Sequence, residues 1–305
     1  MNHKSIALSA IIVWSIVAIL FTGIFIYFLV GRPSRFSLMS KRFDTETIIE
    51  KKTLDSSDIH SLDIDWDAGQ IQILPSTGQD IIITQSSYYQ VEPFQSSIQG
   101  DILEIHQTDS GFYIFPFSRF HSSNITIEVP PMYLETLQLS LTSGSCNGND
   151  LAAEHLYVSI TSGRVTLNGR FQNITSELTS GNVSIETNNL PDNLFVEMTS
   201  GDMALKIPDN DGFQVKLDKT SGKFQSDFDF LVNPEQEDIY IYKSTSSRKY
   251  SVDMTSGHFE LRKLQPSHSK AKSNTVIKSR LIEIGYDRNG NKLPPPLLFP
   301  WQKTK

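Results

Sequence analysis

Residues 137–146 read LQLSLTSGSC, residues 156–165 read LYVSITSGRV and residues 174–183 read ITSELTSGNV. Each stretch has apolar residues at alternate positions, except for Ser176 in the third, then the tripeptide Thr-Ser-Gly, then another apolar residue two positions after the glycine. Alternation with a period of two is typical of β-strands and not of helices. The three stretches therefore predict a unit of strand, tight turn and strand that repeats along the chain.

The Thr-Ser-Gly tripeptide occurs six times, and its glycines are 19, 18, 20, 21 and 35 residues apart. The glycines are Gly144, Gly163, Gly181, Gly201, Gly222 and Gly257. Two positions after them stand Cys146, Val165, Val183, Met203, Phe224 and Phe259.

A unit of ~20 residues cannot bury its own apolar side, so the units must stack with equivalent side chains in ladders. The predicted fold is all-β, a β-solenoid or β-roll of Thr-Ser-Gly repeats over residues 55–262. We expect a positive φ at each glycine, and hydrogen bonds from the Thr and Ser hydroxyls to the local backbone.

Some segments depart from the regular repeat. Residues 62–73 match its pattern with Ala68 in place of serine, and they predict the first rung. The 35-residue gap before Gly257 predicts an inserted loop at 233–238, and Lys219 occupies an otherwise apolar position. Three irregular strands are predicted to cap the N-terminal end: 80–85, 101–107 and 124–129.

Residues 6–30 form an uncharged apolar run of 25 residues. As a helix this run is ~37 Å long, which exceeds the ~30 Å hydrocarbon core of a bilayer. The apolar region of a cleaved signal peptide is shorter, so the run predicts an uncleaved single-pass transmembrane helix. The predicted organisation is a tail, this helix, a juxtamembrane linker, the β-solenoid and a basic C-terminal tail. Their bounds are 1–5, 6–30, 31–54, 55–262 and 263–305.

Charge is distributed unevenly along the chain. Residues 43–261 carry 12 Lys and Arg against 32 Asp and Glu, whereas residues 262–305 carry ten against two. An acidic body repels phosphates, which argues against a nucleic-acid partner. The basic C-terminal segment is either a solvated tail or a contact for anionic lipid or wall polymer.

The side of the membrane on which the body lies is indicated by two opposing signals. Lys4 precedes the apolar run, while Arg32, Arg35, Lys41 and Arg42 follow it, and this bias favours a cytoplasmic body. Long segments, however, translocate largely regardless of charge. Because the rungs are rich in Thr, Ser, Asn and Gly, we predict an extracytoplasmic body on the cell membrane.

No catalytic, cofactor or metal site is predicted. Asp63, Asp65 and Asp67 lie on one side of a strand, where they either bind calcium or are simply solvated. The repeated glycine-aspartate pattern of calcium-binding β-rolls is missing, which favours solvated acids. Cys146 occupies an apolar position and is predicted to be a buried core residue and not a nucleophile. Ser143 and its equivalents are predicted to be turn residues.

The outward rung positions hold mostly Gln, Ser, Thr, Tyr and Lys, as at Gln138, Tyr157, Thr175 and Lys216. Polysaccharide-degrading β-helices use carboxylate pairs on such a face. We find no acid pair at a fixed offset in the repeat, so the sequence predicts a protein that is not an enzyme.

The segment 125–131, ITIEVPP, followed by the run of Thr-Ser-Gly rungs, resembles the bacterial "putative adhesin" β-strand-repeat family. The resemblance covers about residues 55–262. It implies a domain of unknown function, commonly found on single-pass envelope proteins, some of them encoded beside envelope-stress sensors in Gram-positive bacteria. It implies no catalytic residues.

These observations predict a membrane-anchored extracytoplasmic interaction or structural module, connected to envelope stress by the resemblance alone. Its partners are the membrane and an envelope polymer or protein. The alternative is a cytoplasmic-facing β-helical scaffold that self-associates, like the bactofilins, and the third hypothesis is a polysaccharide-active β-helix enzyme. Open solenoid ends favour polymerisation, whereas capped ends oppose it.

Overall fold

The computed structural model describes residues 42–108, 122–233, 236–243 and 247–264. Within these ranges the chain forms nineteen β-strands and no helix, and therefore no helix that could cross a membrane. The predicted transmembrane helix at 6–30 and the basic tail from residue 265 onward lie outside the described residues. The strands are β1 Arg42–Asp55, β2 Ser61–Trp66, β3 Gln70–Pro75, β4 Asp80–Tyr89, β5 Gln95–Gln99, β6 Ile102–His106, β7 Asn124–Val129, β8 Leu134–Leu141, β9 Ser145–Ile160, β10 Arg164–Leu178, β11 Asn182–Thr187, β12 Asn193–Met198, β13 Asp202–Ile207, β14 Phe213–Lys219, β15 Lys223–Ser226, β16 Leu231–Asn233, β17 Gln236–Tyr242, β18 Lys249–Met254 and β19 His258–Lys263.

The repeats stack into two sheets joined at the Thr-Ser-Gly turns. The strands that precede the turns form face A, and the strands that follow them form face B. Face A runs in the spatial order β5, β6, β2, β8, β9, β10, β12, β18, β14, β17, β16. Face B runs in the order β1, β4, β7, β3, β9, β10, β11, β13, β19, β15. The rungs pair in parallel without slippage over most of their length, which confirms an all-β solenoid.

The core consists of in-register ladders of apolar side chains between the two sheets. Val165 pairs with Cys146 on one side and with Val183 on the other, and Met203 continues the ladder to Phe259. All five side chains are buried, as predicted. Phe224, the last member, is partly buried and packs against the core from the terminal rung.

The turn glycines have the predicted conformation. Their φ values run from +99° at Gly222 to +138° at Gly163, a region that favours glycine. The backbone of each turn is paired to the neighbouring rung, as when Ser162 N–H donates to the Thr142 carbonyl over 2.9 Å. The hydroxyls do not behave as predicted. Only Thr142 and Ser143 use theirs, both toward Asp67, and in the other five turns no hydroxyl makes a hydrogen bond within the described ranges.

The rungs do not stack in chain order. The strand pair β18–β19 lies between the pairs β12–β13 and β14–β15, although it follows both along the chain. At the other end, β6 and β7 lie outside β2 and β3. Residues 62–73 therefore form the second rung, and the prediction that they form the first is wrong. A repeat pattern defines which residues are equivalent, but not which copies are neighbours.

The N-terminal end of the solenoid is closed by antiparallel strands. On face B, β4 pairs antiparallel with β7, and β1 pairs antiparallel with β4. On face A, β5 covers β6. The predicted capping strands at 80–85, 101–107 and 124–129 correspond to β4, β6 and β7. Strand β1 extends this sheet into the segment predicted as the juxtamembrane linker.

The C-terminal end has its own cap. The 35-residue gap before Gly257, predicted as an inserted loop, instead contains β15 and the hairpin β16–β17, and β17 pairs antiparallel with β14. Lys219 is exposed at the end of β14 because this rung is the outermost member of the parallel stack. The polar side chain at an apolar position is therefore solvated.

Aromatic rings and one charged group hold this cap together. Phe213 contacts Phe228, Tyr242 and Tyr250, with ring centroids 4.9–5.4 Å apart. The Asp209 carboxylate accepts hydrogen bonds from Lys243, Tyr242 and Lys263, which lower its pKa. The cap is thus packed on its inner side and charged at its rim.

One buried hydroxyl lowers the stability of the core. Ser176 is fully buried in a ladder otherwise made of Leu, Val and Ile, and its Oγ has no hydrogen-bond partner among the described residues. An unsatisfied buried hydroxyl costs about 1–3 kcal/mol. We therefore expect Ser176→Ala to raise the free energy of unfolding by about 1 kcal/mol, measured by urea unfolding of the full chain in detergent. Ser162→Ala, in an exposed turn, should leave it unchanged, and a less stable Ser176→Ala variant would contradict the assignment.

Candidate functional site

The three alternating aspartates lie at the N-terminal end of face A. All three point away from the core, as predicted, and Asp63 accepts a hydrogen bond from Gln138 Nε2 over 3.3 Å. Burial raises the pKa of Asp63, while Asp65 is 3.8 Å from His106 Nδ1. In the described part of the chain, no three or more His, Cys, Asp or Glu side chains are placed to hold a metal ion.

Cys146 is completely buried in the inner ladder of face B, between Val165 and Ile71. Burial raises the pKa of its thiol to about 12. A protonated, shielded thiol is a poor nucleophile. The position is structural, as the sequence predicts.

We expect Cys146 to resist a water-soluble maleimide in the native protein and to react fully once the chain is unfolded in denaturant. Mass spectrometry of the full chain measures the extent of labelling. The matched control is Cys146→Ser combined with Asn147→Cys, because the exposed neighbouring position should label within the mixing time. Rapid labelling of native Cys146 would mean that this rung is open.

The outward positions of face A form polar ladders across the rungs. Gln138, Tyr157, Thr175 and Phe195 are consecutive partners in one of them. Lys216, predicted as part of the same set, lies at its far end beyond Ser251. Tyr157 and Phe195 are 40% and 42% exposed, so two aromatic rings stand in water on this face.

A second ladder, two residues further along each strand, is acidic. Glu177, Glu197, Asp253 and Asp218 are consecutive partners, all are exposed, and within the described residues none forms an ion pair. The prediction that no acid pair recurs at a fixed offset is therefore wrong, because all four acids stand four residues before their glycines. The signal was present in the sequence, but it appears only when every outward position of the repeat is compared.

A hollow of about 190 Å³ opens on face A beside Tyr157. Its polar side chains belong to Gln138, Ser140, Tyr157, Ser159, Thr175 and Glu177. The hollow exists because the side chains of Ser140 and Ser159 are small, so the Tyr157 ring projects further from the sheet than they do. The His155 ring lies parallel to that of Tyr157, with centroids 6.2 Å apart, and supports it from the side.

Two larger hollows, of about 490 and 470 Å³, are lined in part by groups that already pair with one another. In the first, Arg248 donates to Asp211 over 2.6 Å and the Gln172 amide donates to the Asp192 carboxylate. In the second, Asn182 donates to Asp202 over 3.1 Å, whereas the side chains of Arg164, Thr166 and Ser184 make no hydrogen bond in the described residues. The Tyr157 hollow differs, because five of its six polar side chains make no hydrogen bond within the described ranges.

Comparison with known proteins places this architecture in a family. The model of the Toastrack DUF4097 family matches residues 59–170 and again residues 148–262. The chain belongs to the Toastrack DUF4097 family. The two matches overlap and together span the strands from β2 to β19, which leaves only β1 of the described strands outside the Toastrack match.

Solved structures similar to this Toastrack chain have low sequence identity to it. A "putative cell adhesion protein" from Clostridium sporogenes is 16% identical, with 72% of this chain and all of that chain covered and a TM-score of 0.49. A "putative adhesin" from Bacteroides fragilis is 11% identical, with 72% and 98% covered and a TM-score of 0.30. A "putative lipid binding protein" from Parabacteroides distasonis is 9% identical, with 73% and 98% covered and a TM-score of 0.26. No curated protein matches the chain.

Proposed function

We propose that this Toastrack protein is a membrane-anchored module that presents its β-solenoid outside the cell, where an outer face binds an envelope polymer or protein. The observation that carries the proposal is the contrast between the closed ends and the open faces. Both ends carry antiparallel cap strands, while face A displays polar, acidic and aromatic side chains over seven consecutive rungs.

The caps make the self-assembling scaffold the weaker alternative. A parallel stack of copies needs a free parallel edge at each end. The N-terminal end instead offers β1 and β5, and the exposed side chains of β1 include Asp44, Glu46 and Lys51. At the C-terminal end, β16–β17 covers face A, and among the described residues β15 has an unpaired edge of only four residues. Charged and short edges discourage pairing with another copy.

We propose binding and not catalysis. The acidic ladder lies on an open sheet face and not in an enclosed cleft, and catalytic carboxylates work best where water is excluded. The family description carries no activity. A full chain that shortens a wall polysaccharide, and loses this action on Glu177→Gln or Glu197→Gln, would overturn this part of the proposal.

Protease added to intact cells stripped of their outer wall layers tests the location. We expect it to digest the body from residue 43 onward, because residues 6–30 would hold the chain in the membrane with the solenoid outside. A cytoplasmic protein of the same cells serves as the control for lysis. A body that survives until the cells are lysed would overturn the proposal and favour the cytoplasmic scaffold.

A further inference from the structure

We infer that the Tyr157 hollow is a binding site for one sugar unit of an uncharged polysaccharide, whose next units extend along face A toward Phe195. This inference rests on the proposed function and gives its ligand class and its site. It starts from the polar groups of the hollow. Ser140, Ser159, Thr175, Glu177 and the Tyr157 hydroxyl have no hydrogen-bond partner within the described ranges.

The hollow combines two features that together match a sugar ring. One wall is an exposed aromatic ring, on which the apolar C–H face of a pyranose can stack. The rest is a rim of three hydroxyls, one amide and one carboxylate. These groups donate to and accept from the hydroxyls of a sugar, and a few such convergent polar groups fix the orientation of a ligand.

The repeat extends the site beyond a single unit. Thr175 stands between Tyr157 and Phe195 in the same ladder, so the two rings are two rungs apart. At the strand spacing of a sheet this separation is about 9–10 Å. It allows one aromatic ring for every second unit of an extended glycan, with the polar side chain of Thr175 between them.

The negative charge beside the hollow favours an uncharged polymer over a polyanion. Glu177 and Glu197 flank the path between the rings and form no ion pair in the described residues. They would repel a polyanion such as a polyuronate or a polyphosphate polymer. A basic peptide would satisfy these carboxylates, but it would leave the hydroxyls of Ser140 and Ser159 without a specific partner. The uncharged glycan uses both sets of groups.

Calorimetric titration tests the inference with the full chain in a detergent that has no sugar headgroup. The probes are chitotetraose, cellotetraose, polygalacturonate and tetralysine. We expect at least one neutral tetrasaccharide to bind, and polygalacturonate not to bind. Tyr157→Ala should weaken the affinity at least tenfold, and Phe195→Ala should weaken it less, because Phe195 contacts the extension and not the first unit.

Two further variants test whether sugar binding depends on the hollow itself. Ser159→Leu fills the hollow from an exposed position and should abolish binding without changing the melting temperature. Tyr133→Ala removes a tyrosine that is 45% exposed outside the hollow, beside Arg170, and should bind like the wild type. Equal loss in Tyr133→Ala and Tyr157→Ala would overturn the site. So would tetralysine binding without any sugar binding, or no binding of either neutral sugar.

The outcomes separate this inference from the proposed function. A body that is digested from outside but binds no neutral sugar would leave the envelope module standing and remove its glycan site. A body that is cytoplasmic but binds a neutral sugar through Tyr157 would keep the site and remove the proposed location. A tetrasaccharide that is bound and then cleaved would confirm the site and overturn the claim that the protein is not an enzyme.

Discussion

Val183→Asp is expected to lower the free energy of unfolding by about 4 kcal/mol or more, which is a large share of the stability of a typical domain. Val183 is buried between Val165 and Met203 in the inner ladder of face B. A carboxylate at this position would have no partner, and it can neither reach water nor be accommodated as a neutral group without a cost. Urea unfolding of the full chain, followed by far-ultraviolet circular dichroism, measures the change.

The control for this substitution is Thr166→Asp, on the neighbouring strand. Thr166 is exposed on the outer side of face B, so the new carboxylate is solvated and the stability should change by less than about 0.5 kcal/mol. A Thr166→Asp variant that is much less stable than Val183→Asp would show that the strands are one residue out of register, because such a slip exchanges the inner and outer sides.

Gly181→Ala is expected to destabilise the protein by about 2–5 kcal/mol, from two causes that add. The φ of Gly181 is +114°, a conformation that side-chain-bearing residues rarely adopt. A Cβ atom there would also stand 2.5 Å from the carbonyl oxygen of Gly163 in the adjacent rung. The rungs would have to separate locally, and they can do so only by breaking the hydrogen bond from Asn182 N–H to that same oxygen.

Gly78→Ala is the matched control. Gly78 has no positive φ, and the nearest atom to a Cβ there is the Ser76 hydroxyl at 3.5 Å. This variant should be as stable as the wild type or slightly more stable, because alanine restricts the unfolded chain. Thermal melts of the two variants make the comparison, and a Gly181→Ala protein that melts with Gly78→Ala would contradict the close approach of the turns.

The sequence predicts the rungs well because burial acts on each unit separately. Whichever copy lies next to Val183, its inner position must be apolar, so the period-two pattern and the glycine recur in every unit. Which copy becomes the neighbour in the stack is harder to predict. It depends on how β14 and β18 compete for the same edge, and their apolar patterns are nearly alike, with Leu217 and Val252 at equivalent positions. One local difference does favour the observed order: β14 has Lys219 where β18 has Met254, and a polar residue at this position suits the outer rung.

The caps and the site were harder to predict for other reasons. Strand β5 is mostly polar and exposed, so it has no apolar alternation to mark it. The ladder of Glu177 and Glu197 lies in the outward positions, where the pattern imposes no residue type. The Tyr157 hollow depends on the sizes of side chains on three different rungs, and these become neighbours only through the register of the sheet.

The insertion of β18–β19 between earlier rungs gives the biosynthesis of this protein an obligatory last step. As the chain leaves the ribosome, β14 and β15 appear before β18 and β19, so their native parallel partners are not yet present. A nascent chain can complete the central rungs one by one, but its end stays unfinished until residue 264 has emerged. A chain whose translation stops early would therefore keep unpaired strand edges, and such edges are prone to aggregation. Strands β18 and β19, the last two of the described chain, are therefore the ones that complete the parallel stack.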